Sequence, residues 1–392
     1  MSAREGRVPV VVLRFSALVA SCCAALFASA SALPAPACRD RWLWPFSSQS
    51  IWNTAIGSNA EYVPAGIYRD ASGVFGPPSE IHNDQDLLVG VTTSATPLVD
   101  WIDDSGNFPG MCGAKGPVRQ QIPIPHDFVT DCVANNNGGA VLMPDGVTLL
   151  QMQPLYRSAA GGPIIAWWHT GAPQPFPWTN SFLEDGALGA HGGSGLSAIG
   201  GTLRLGELLP GAPPIAHALK LELWAHAYYY YNYSSLNYSS CFTWPAVGCD
   251  SYWNQRSGPG YNGTNQYLKP GALLAVPPAA APAVAAGLVT EPARRILAAL
   301  VDYGGYIVDD TGSERGGGAL CMERGVTAEL RAAYNVSVAI EDPLTADGQG
   351  ADLYADLVAI FRALSVVVNN GPSAVGGGGT PRQPPPPPIC GA

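Results

Sequence analysis

The chain has 392 residues, with 46 glycines, 36 prolines and a formal net charge of −10 at pH 7. Charged residues are only 13% and hydrophobic residues 47% of the chain, which excludes a disordered protein and a coiled coil. The three lysines, Lys115, Lys220 and Lys269, form no basic stripe, so we expect no nucleic-acid partner. The composition favours many short strands joined by turns.

Residues 1–32 have the features of a secretory signal peptide. Three arginines accompany an apolar segment, Phe15 to Ala28, that is too short to span a bilayer. Small residues at Ala30 and Ala32 predict cleavage after Ala32; the alternative is a buried N-terminal helix. No later segment reaches 18 apolar residues, so we expect a secreted, extracellular protein with no membrane span.

The remaining chain divides into a body and a tail. Residues 33–368 are expected to form a single β-rich extracellular domain, a β-sandwich or jelly-roll-like fold with a few peripheral helices. Strands are predicted at 147–153, 164–170, 215–231 and 305–308. Helices are predicted after Thr290, ending before Gly304, and over 351–364, where apolar residues recur at helical spacing. Residues 369–392 have glycine and proline runs that predict a flexible tail, either without a role or as a spacer.

A glycine-rich segment, His191 to Gly201, is the first candidate for chemistry. Five glycines around one histidine allow the backbone to approach a ligand closely. His191 is therefore a candidate acid or base; the alternative is a tight turn without a catalytic role.

The segment His217 to His226 is the second candidate. Strand alternation places His217 with three leucines on a core face, which predicts a buried structural histidine. The other face carries a base, an acid, an aromatic ring and an imidazole: Lys220, Glu222, Trp224 and His226. Such a set suits a sugar, because an aromatic ring stacks on a pyranose while charged groups bond its hydroxyls. The alternative is a solvated outer face of a sheet.

Carboxylates and dense aromatic residues complete this interpretation. A glycosidase needs two acids on either side of a cleft, and Asp310, beside Asp309, is a candidate second carboxylate. The tyrosine run at 228–233 cannot point entirely inward, so some rings are expected at a binding surface.

Cysteine usage agrees with export. Seven cysteines follow residue 32, and no CxxC pair is present, so we predict disulfides and no metal or other cofactor. The shortest local pairings are Cys241 with Cys249 and Cys112 with Cys132. Cys390 is then the odd thiol, with a possible intermolecular disulfide. Four sequons predict glycosylation at Asn232, Asn237, Asn262 and Asn335.

Several short motifs occur in an order that resembles a broad group of secreted, largely uncharacterised bacterial and microbial-eukaryote proteins. They are Phe46 to Thr54, Gly193 to Arg204, His217 to Leu219, Trp244-Pro245, Tyr303-Gly304 and Asp310 to Gly312. The resemblance implies an extracellular β-rich domain that acts on or binds polysaccharide, and it carries no defined reaction.

We therefore expect a carbohydrate-active protein that binds or cleaves an extracellular polysaccharide, as a hydrolase or a lyase. His191, Glu222 and Asp310 are the predicted catalytic residues, and Trp224, His226, Lys220 and Arg204 the predicted substrate-binding residues. The alternative is a non-catalytic glycoprotein of the extracellular matrix or cell wall, which the proline tail and the sequons favour.

Overall fold

A computed structural model describes residues 38–67, 81–90, 92–103, 116–130, 138–167, 178–234, 237–312, 317–335 and 351–391. The predicted signal peptide and the predicted Cys112–Cys132 pair lie outside these ranges.

The fold is mainly β, as the sequence predicts, and its strands form two sheets. The strands are β1 (Tyr62–Pro64), β2 (Ile81–Val89), β3 (Leu98–Asp103), β4 (Val118–Pro123), β5 (Gly139–Leu142), β6 (Thr148–Met152), β7 (Leu155–Tyr156), β8 (Ile164–Ala166), β9 (Trp178–Ser181), β10 (Leu188–His191), β11 (Leu219–Leu223), β12 (Leu273–Ala275), β13 (Gly305–Asp310), β14 (Gly318–Glu323) and β15 (Ser365–Val367). The helices are α1 (Ala225–Tyr228), α2 (Ala281–Gly287), α3 (Glu291–Asp302), α4 (Val326–Tyr334) and α5 (Ala351–Ala363).

The large sheet has ten strands in the order β1-β15-β12-β13-β11-β14-β2-β5-β6-β9, and the small one runs β4-β3-β8-β7. The large sheet is mixed: β11 pairs in parallel with β13, and β2 pairs in parallel with both β14 and β5. Strands far apart in sequence therefore become neighbours at the centre of the sheet, which is where the candidate site forms.

Helices α3 and α5 cover one face of this sheet. Pro292 lies in the first turn of α3, and Ala293, Ile296 and Leu300 point into the core. Both predicted helices are confirmed within a residue or so, and they are the longest in the described chain. Their cluster includes Leu221 of β11, so one face of that central strand is apolar.

The opposite face of β11 is also covered. Every residue of the strand is buried, including Lys220 and Glu222. The predicted solvated face is therefore wrong: the Lys220 side chain donates from Nζ to the Ala198 carbonyl (3.0 Å), so the glycine-rich segment covers this face. The strand ends at Leu223, and Trp224 precedes the helical turn α1, which breaks the alternation that placed Trp224 and His226 on this face.

The chain termini of the described body are joined. Cys38 forms a disulfide with Cys390, so the predicted intermolecular disulfide through Cys390 is wrong; the predicted Cys241–Cys249 disulfide is confirmed. The remaining described cysteine, Cys321, is free and buried.

The expected flexible tail is packed against the body. The Arg382 amide donates to the Ile56 carbonyl (3.0 Å), and the Gln383 amide nitrogen donates to Asp302 (2.7 Å). The glycine and proline content of the tail reflects only its local conformational preference, whereas these hydrogen bonds and the disulfide hold the tail through tertiary contacts.

Within the described residues, no helix combines the length and apolarity needed to cross a bilayer.

The predicted structural role of His217 agrees with its contacts. Its imidazole is buried; Nδ1 lies 2.8 Å from the Ala218 carbonyl and Nε2 lies 3.1 Å from Glu207. Burial and the nearby Arg204 lower the pKa of His217, but the Glu207 carboxylate and the hydrogen bonds outweigh them, so the pKa rises above 6.5.

We predict that His217→Gln lowers the free energy of unfolding most at acidic pH. Because the folded-state pKa of His217 is raised, its charge-dependent stabilisation is complete below the unfolded pKa of 6.5 and disappears as the pH rises through the folded pKa. Urea unfolding of the wild type and the variant from about pH 5 to 9 measures the difference. The exposed His126→Gln is the control, and a difference that grows with pH would contradict the assignment.

Candidate functional site

A row of polar side chains lies on the covered face of the large sheet. Register places Asp84 of β2 opposite Cys321 of β14, and Asp86 opposite Glu323. A bulge in β13 then pairs Glu222 with Asp309 instead of Val308, which turns the Asp309 side chain toward the same face. Four strands, β2, β11, β13 and β14, thus carry carboxylates to the same face of the sheet.

The glycine-rich segment closes this face and supplies the histidine. Gly192 has φ +50°, and a Cβ there would lie 2.0 Å from the Asp309 carboxyl carbon. A Cβ at Gly193 would lie 2.6 Å from the Asp250 amide nitrogen. Glycine is required at both positions because the backbone passes directly over these acids, and this close approach seats His191 on the polar face.

His191 is the centre of the cluster. Its Nε2 lies 3.3 Å from Asp84 Oδ2, 3.4 Å from Asp86 Oδ1 and 4.0 Å from Glu222 Oε1. Cys321 Sγ lies 3.7 Å from the same nitrogen and 3.6 Å from Glu222 Oε1. Burial and Lys220 lower the pKa of His191, but the hydrogen bonds to Asp84 and Asp86 outweigh them and raise it above 6.5.

Asp84 and Glu222 form a carboxylate pair with opposite behaviour. Burial, followed by the charges of Asp84 and Asp309, raises the pKa of Glu222 well above its usual value. Burial also opposes ionisation of Asp84, but its contacts with His191 and Glu222 prevail and lower the pKa of Asp84. The Asp84 side chain is 22% exposed and that of Glu222 only 5%, so the cluster meets solvent at Asp84.

Asp86 links the histidine to a buried lysine. Its Oδ2 lies 2.8 Å from Lys220 Nζ and accepts a hydrogen bond from the Thr202 hydroxyl (2.6 Å). Lys220 also donates to the Ala198 carbonyl (3.0 Å). One atom of the cluster, His191 Nδ1, is buried without a hydrogen-bond partner among the described residues.

Asp309 connects this cluster to the neighbouring loop. Gly193 N donates to Asp309 Oδ1 (3.2 Å), and Gln153 donates to Asp309 Oδ2 (3.4 Å). Burial raises the pKa of Asp309 to about 6. Asp250 lies beside the same loop, where burial and the charges of Asp309 and Asp310 raise its pKa well above the usual value.

The predicted catalytic residues are partly brought together. His191 and Glu222 are neighbours, whereas Asp310 accepts hydrogen bonds from the Ala225 amide and the Tyr252 hydroxyl, both at 2.7 Å. The second carboxylate beside Glu222 is therefore Asp84 and not the predicted Asp310.

Two predicted substrate-binding residues, Lys220 and Arg204, are buried and paired inside the protein. Lys220 is fully buried in its pair with Asp86. Arg204 is buried, donates to Glu323 (2.9 Å), and lies over the Trp42 ring. Neither side chain can therefore reach a substrate. The sequence could not indicate this, because strand alternation does not show whether a second layer covers the face.

The other two, Trp224 and His226, are half-buried. Their rings lie 5.5 Å apart, and the His226 Nδ1 lies 3.1 Å from the Gly260 carbonyl. Asp310 accepts hydrogen bonds from the Ala225 amide and the Tyr252 hydroxyl. Because Ala225 lies between Trp224 and His226 in the chain, this holds the two rings near Asp309.

Three of the four predicted glycosylation sites, Asn232, Asn237 and Asn335, are exposed. Asn262 is half-buried, and its amide nitrogen contacts the Gly260 carbonyl and His226. A glycan on Asn262 would replace those contacts; glycosylation at all four stays a prediction.

Four residues of the cluster could also hold a metal ion. The ligand atoms of Asp84, His191, Glu222 and Cys321 all lie within 4.8 Å of one another. A tetrahedron with zinc-like bonds of about 2.0–2.3 Å has edges of about 3.3–3.8 Å, and three of the distances above fall in that range. The sequence predicts no metal because these ligands occupy no recognisable spacing.

Sequence reasoning also missed Asp84, Asp86, Asp309 and Cys321. One signal was present: the strand His82-Asn-Asp-Gln-Asp86 places three titratable residues on one face immediately before an apolar run. Nothing in the local sequence indicates that this face joins that of β11.

Comparison with known proteins gives no relative: no family model, no curated protein and no solved structure matches the chain.

We predict that Gly192→Ala destabilises the protein by ~1–3 kcal/mol more than Gly211→Ala, the usual cost of overpacking a site. Both glycines have positive φ, so both variants carry backbone strain, but only Gly192 has the Asp309 side chain in its path; nothing lies within 4 Å of a Cβ at Gly211. Urea unfolding measures both. Equal losses would show that the close approach at Gly192 is unimportant.

Proposed function

We propose that the protein is an extracellular acid–base enzyme that cleaves a polysaccharide, with Glu222 as the acid and Asp84 as the base or nucleophile. The observation that carries the proposal is the Asp84–Glu222 pair, whose carboxylate oxygens lie within 4.8 Å of each other and in which one carboxyl group favours its proton and its neighbour favours ionisation. Two carboxyl groups with separated pKa values are what general acid–base cleavage requires.

The neighbouring residues support this division of roles. His191 places a positive charge against Asp84, which keeps that carboxylate ionised, while Asp309 and Asp84 repel a negative charge on Glu222. Lys220 neutralises Asp86, so Asp86 can orient His191 through its other oxygen. Asp84 is the member that reaches solvent, and a substrate would enter there.

The spacing favours one geometry of glycoside cleavage. The nearest carboxylate oxygens of Asp84 and Glu222 lie within 4.8 Å. Inverting glycosidases separate their carboxyl groups by ~6.5–9.5 Å to admit a water, whereas retaining enzymes hold them ~5–5.5 Å apart. The proposal is therefore for direct attack by Asp84 while Glu222 protonates the leaving oxygen.

Polysaccharide is the proposed substrate because aromatic and polar groups adjoin the acid cluster. Trp224, His226 and Tyr252 are all anchored around Asp310, which neighbours Asp309 in the cluster. Half-buried aromatic rings beside carboxylates suit a pyranose. Two disulfides support an oxidising compartment and hence secretion.

The test is cleavage of a panel of neutral and acidic polysaccharides. Reducing ends report hydrolysis, and the ultraviolet absorbance of an unsaturated product reports a lyase. Glu222→Gln and Asp84→Asn should each lower the rate by roughly 10²–10⁴-fold, the usual contribution of a positioned acid or base. Glu329→Gln, which removes a half-buried carboxylate that accepts from Gly206, is the control and should leave the rate unchanged. Full activity in both site variants would overturn the proposal.

A second candidate is a non-catalytic extracellular glycoprotein stabilised by a divalent cation. The proximity of the ligand atoms of Asp84, His191, Glu222 and Cys321, all within 4.8 Å of one another, favours it, because a site with four protein ligands is closed and structural. On this proposal the same carboxyl groups serve as ligands and not as acid and base.

Metal content and thermal unfolding separate the two candidates. A structural zinc site predicts one zinc per chain, a fall in melting temperature with chelator, and loss of both effects in Cys321→Ser. The acid–base enzyme predicts that chelator alters neither melting temperature nor cleavage. One measurement of each kind therefore decides which role the cluster has.

A further inference from the structure

A cavity lies beside the ends of β12 and β15, and none of its lining residues belongs to the acid cluster. It is open to solvent and has a volume of about 180 Å³. Trp244 and Tyr267 supply aromatic surface, and Thr243, Gln266 and Asn370 supply polar groups. The Tyr267 ring is 41% exposed.

Lys269 is the single charged residue in the lining of this cavity. Its Nζ donates to the Ser240 carbonyl (2.9 Å) and lies 5.6 Å from the centre of the Tyr230 ring. Within the described part of the chain, no carboxylate forms an ion pair with it, although the protein as a whole carries a charge of −10. An ammonium group has three donors, so this one retains capacity for an anion.

We propose that this cavity binds an anionic pyranose, a sugar ring that carries a carboxylate, as part of a polysaccharide chain. The aromatic side chains stack on the sugar ring, the amide and hydroxyl groups bond its hydroxyls, and Lys269 binds the carboxylate. That the ligand is a polymer rests on the proposed function. The new element is that the substrate is anionic, which the acid cluster does not specify.

The negative net charge of the protein bears on the proposed selectivity for an anionic sugar. A net charge of −10 disfavours the binding of an anionic polymer in general, so a cavity lined by one positive charge and no carboxylate is a favourable place to hold one. Binding at this cavity would hold the chain on the protein independently of cleavage at the Asp84–Glu222 pair.

The experiment is calorimetric titration with oligogalacturonate and with a neutral galacto-oligosaccharide of equal length. It uses Asp84→Asn protein, so that cleavage cannot disturb the titration and failure of the proposed reaction does not affect the result. We expect oligogalacturonate to bind more tightly, with an affinity that falls as salt is added.

Two variants in that background assign the binding to the cavity. Lys269→Gln should weaken oligogalacturonate binding roughly tenfold or more and leave neutral binding unchanged, the usual loss of a charge-assisted hydrogen bond. Tyr267→Ala should weaken both ligands. Arg331→Gln, which removes the same charge from exposed α4, is the control and should change neither.

Lys269 also supports the Ser240 turn, so its loss needs a distinguishing measurement. A Lys269→Gln variant that loses both ligands equally would indicate a structural role and overturn the proposal. Unchanged affinity in both Lys269→Gln and Tyr267→Ala, or equal affinity of the wild-type cavity for the two sugars, would also overturn it.

Discussion

Burial of several charges on one face of the central sheet is the constraint on which the rest of the structure depends. An uncompensated charge in a protein interior is costly, so each one needs a partner or must lose its charge. Asp86 pairs with Lys220, and Asp84 faces a His191 whose pKa is raised. Glu222 has no such cation partner, and burial together with the charges of Asp84 and Asp309 raises its pKa, which favours the protonated form.

The backbone places these charged and neutral side chains next to one another. Parallel pairing of β14 with β2 brings Cys321 next to Asp84, and the β13 bulge turns Asp309 toward them. The glycine-rich segment then passes close enough to close the cluster, which a side chain at Gly192 would prevent. The same strand pairings also build the apolar core on the helical face, where Ile81, Leu221 and Leu320 pack together, whereas the bulge and the glycine positions serve the polar site.

Local patterns predicted the parts of the fold that depend on local sequence. Helices α3 and α5 and the Cys241–Cys249 disulfide follow from periodicity, capping and short loop closure. His191 and Glu222 stood out because glycines surround one and an apolar strand carries the other. Asp84, Cys321 and the Cys38–Cys390 disulfide could not be predicted, because each depends on a partner more than one hundred residues away. The tail was mispredicted for the same reason: its glycines and prolines describe an isolated chain, not one held by Asp302 and Cys38.

The charge balance also explains why the two candidate functions exclude one another. Without a metal ion, the charges of the cluster balance because the raised pKa of Glu222 favours its protonated form while Asp84 and Asp86 each face a positive group. A divalent cation on Asp84, His191, Glu222 and Cys321 would need an ionised Glu222, a thiolate and a neutral imidazole, so it would have to displace the protons that the balance now requires. Burial raises the pKa of the Cys321 thiol, so a cation that binds there must release this proton as well as that of Glu222. Protons and a metal ion therefore compete for the same four side chains, which is why metal content distinguishes the two candidate functions.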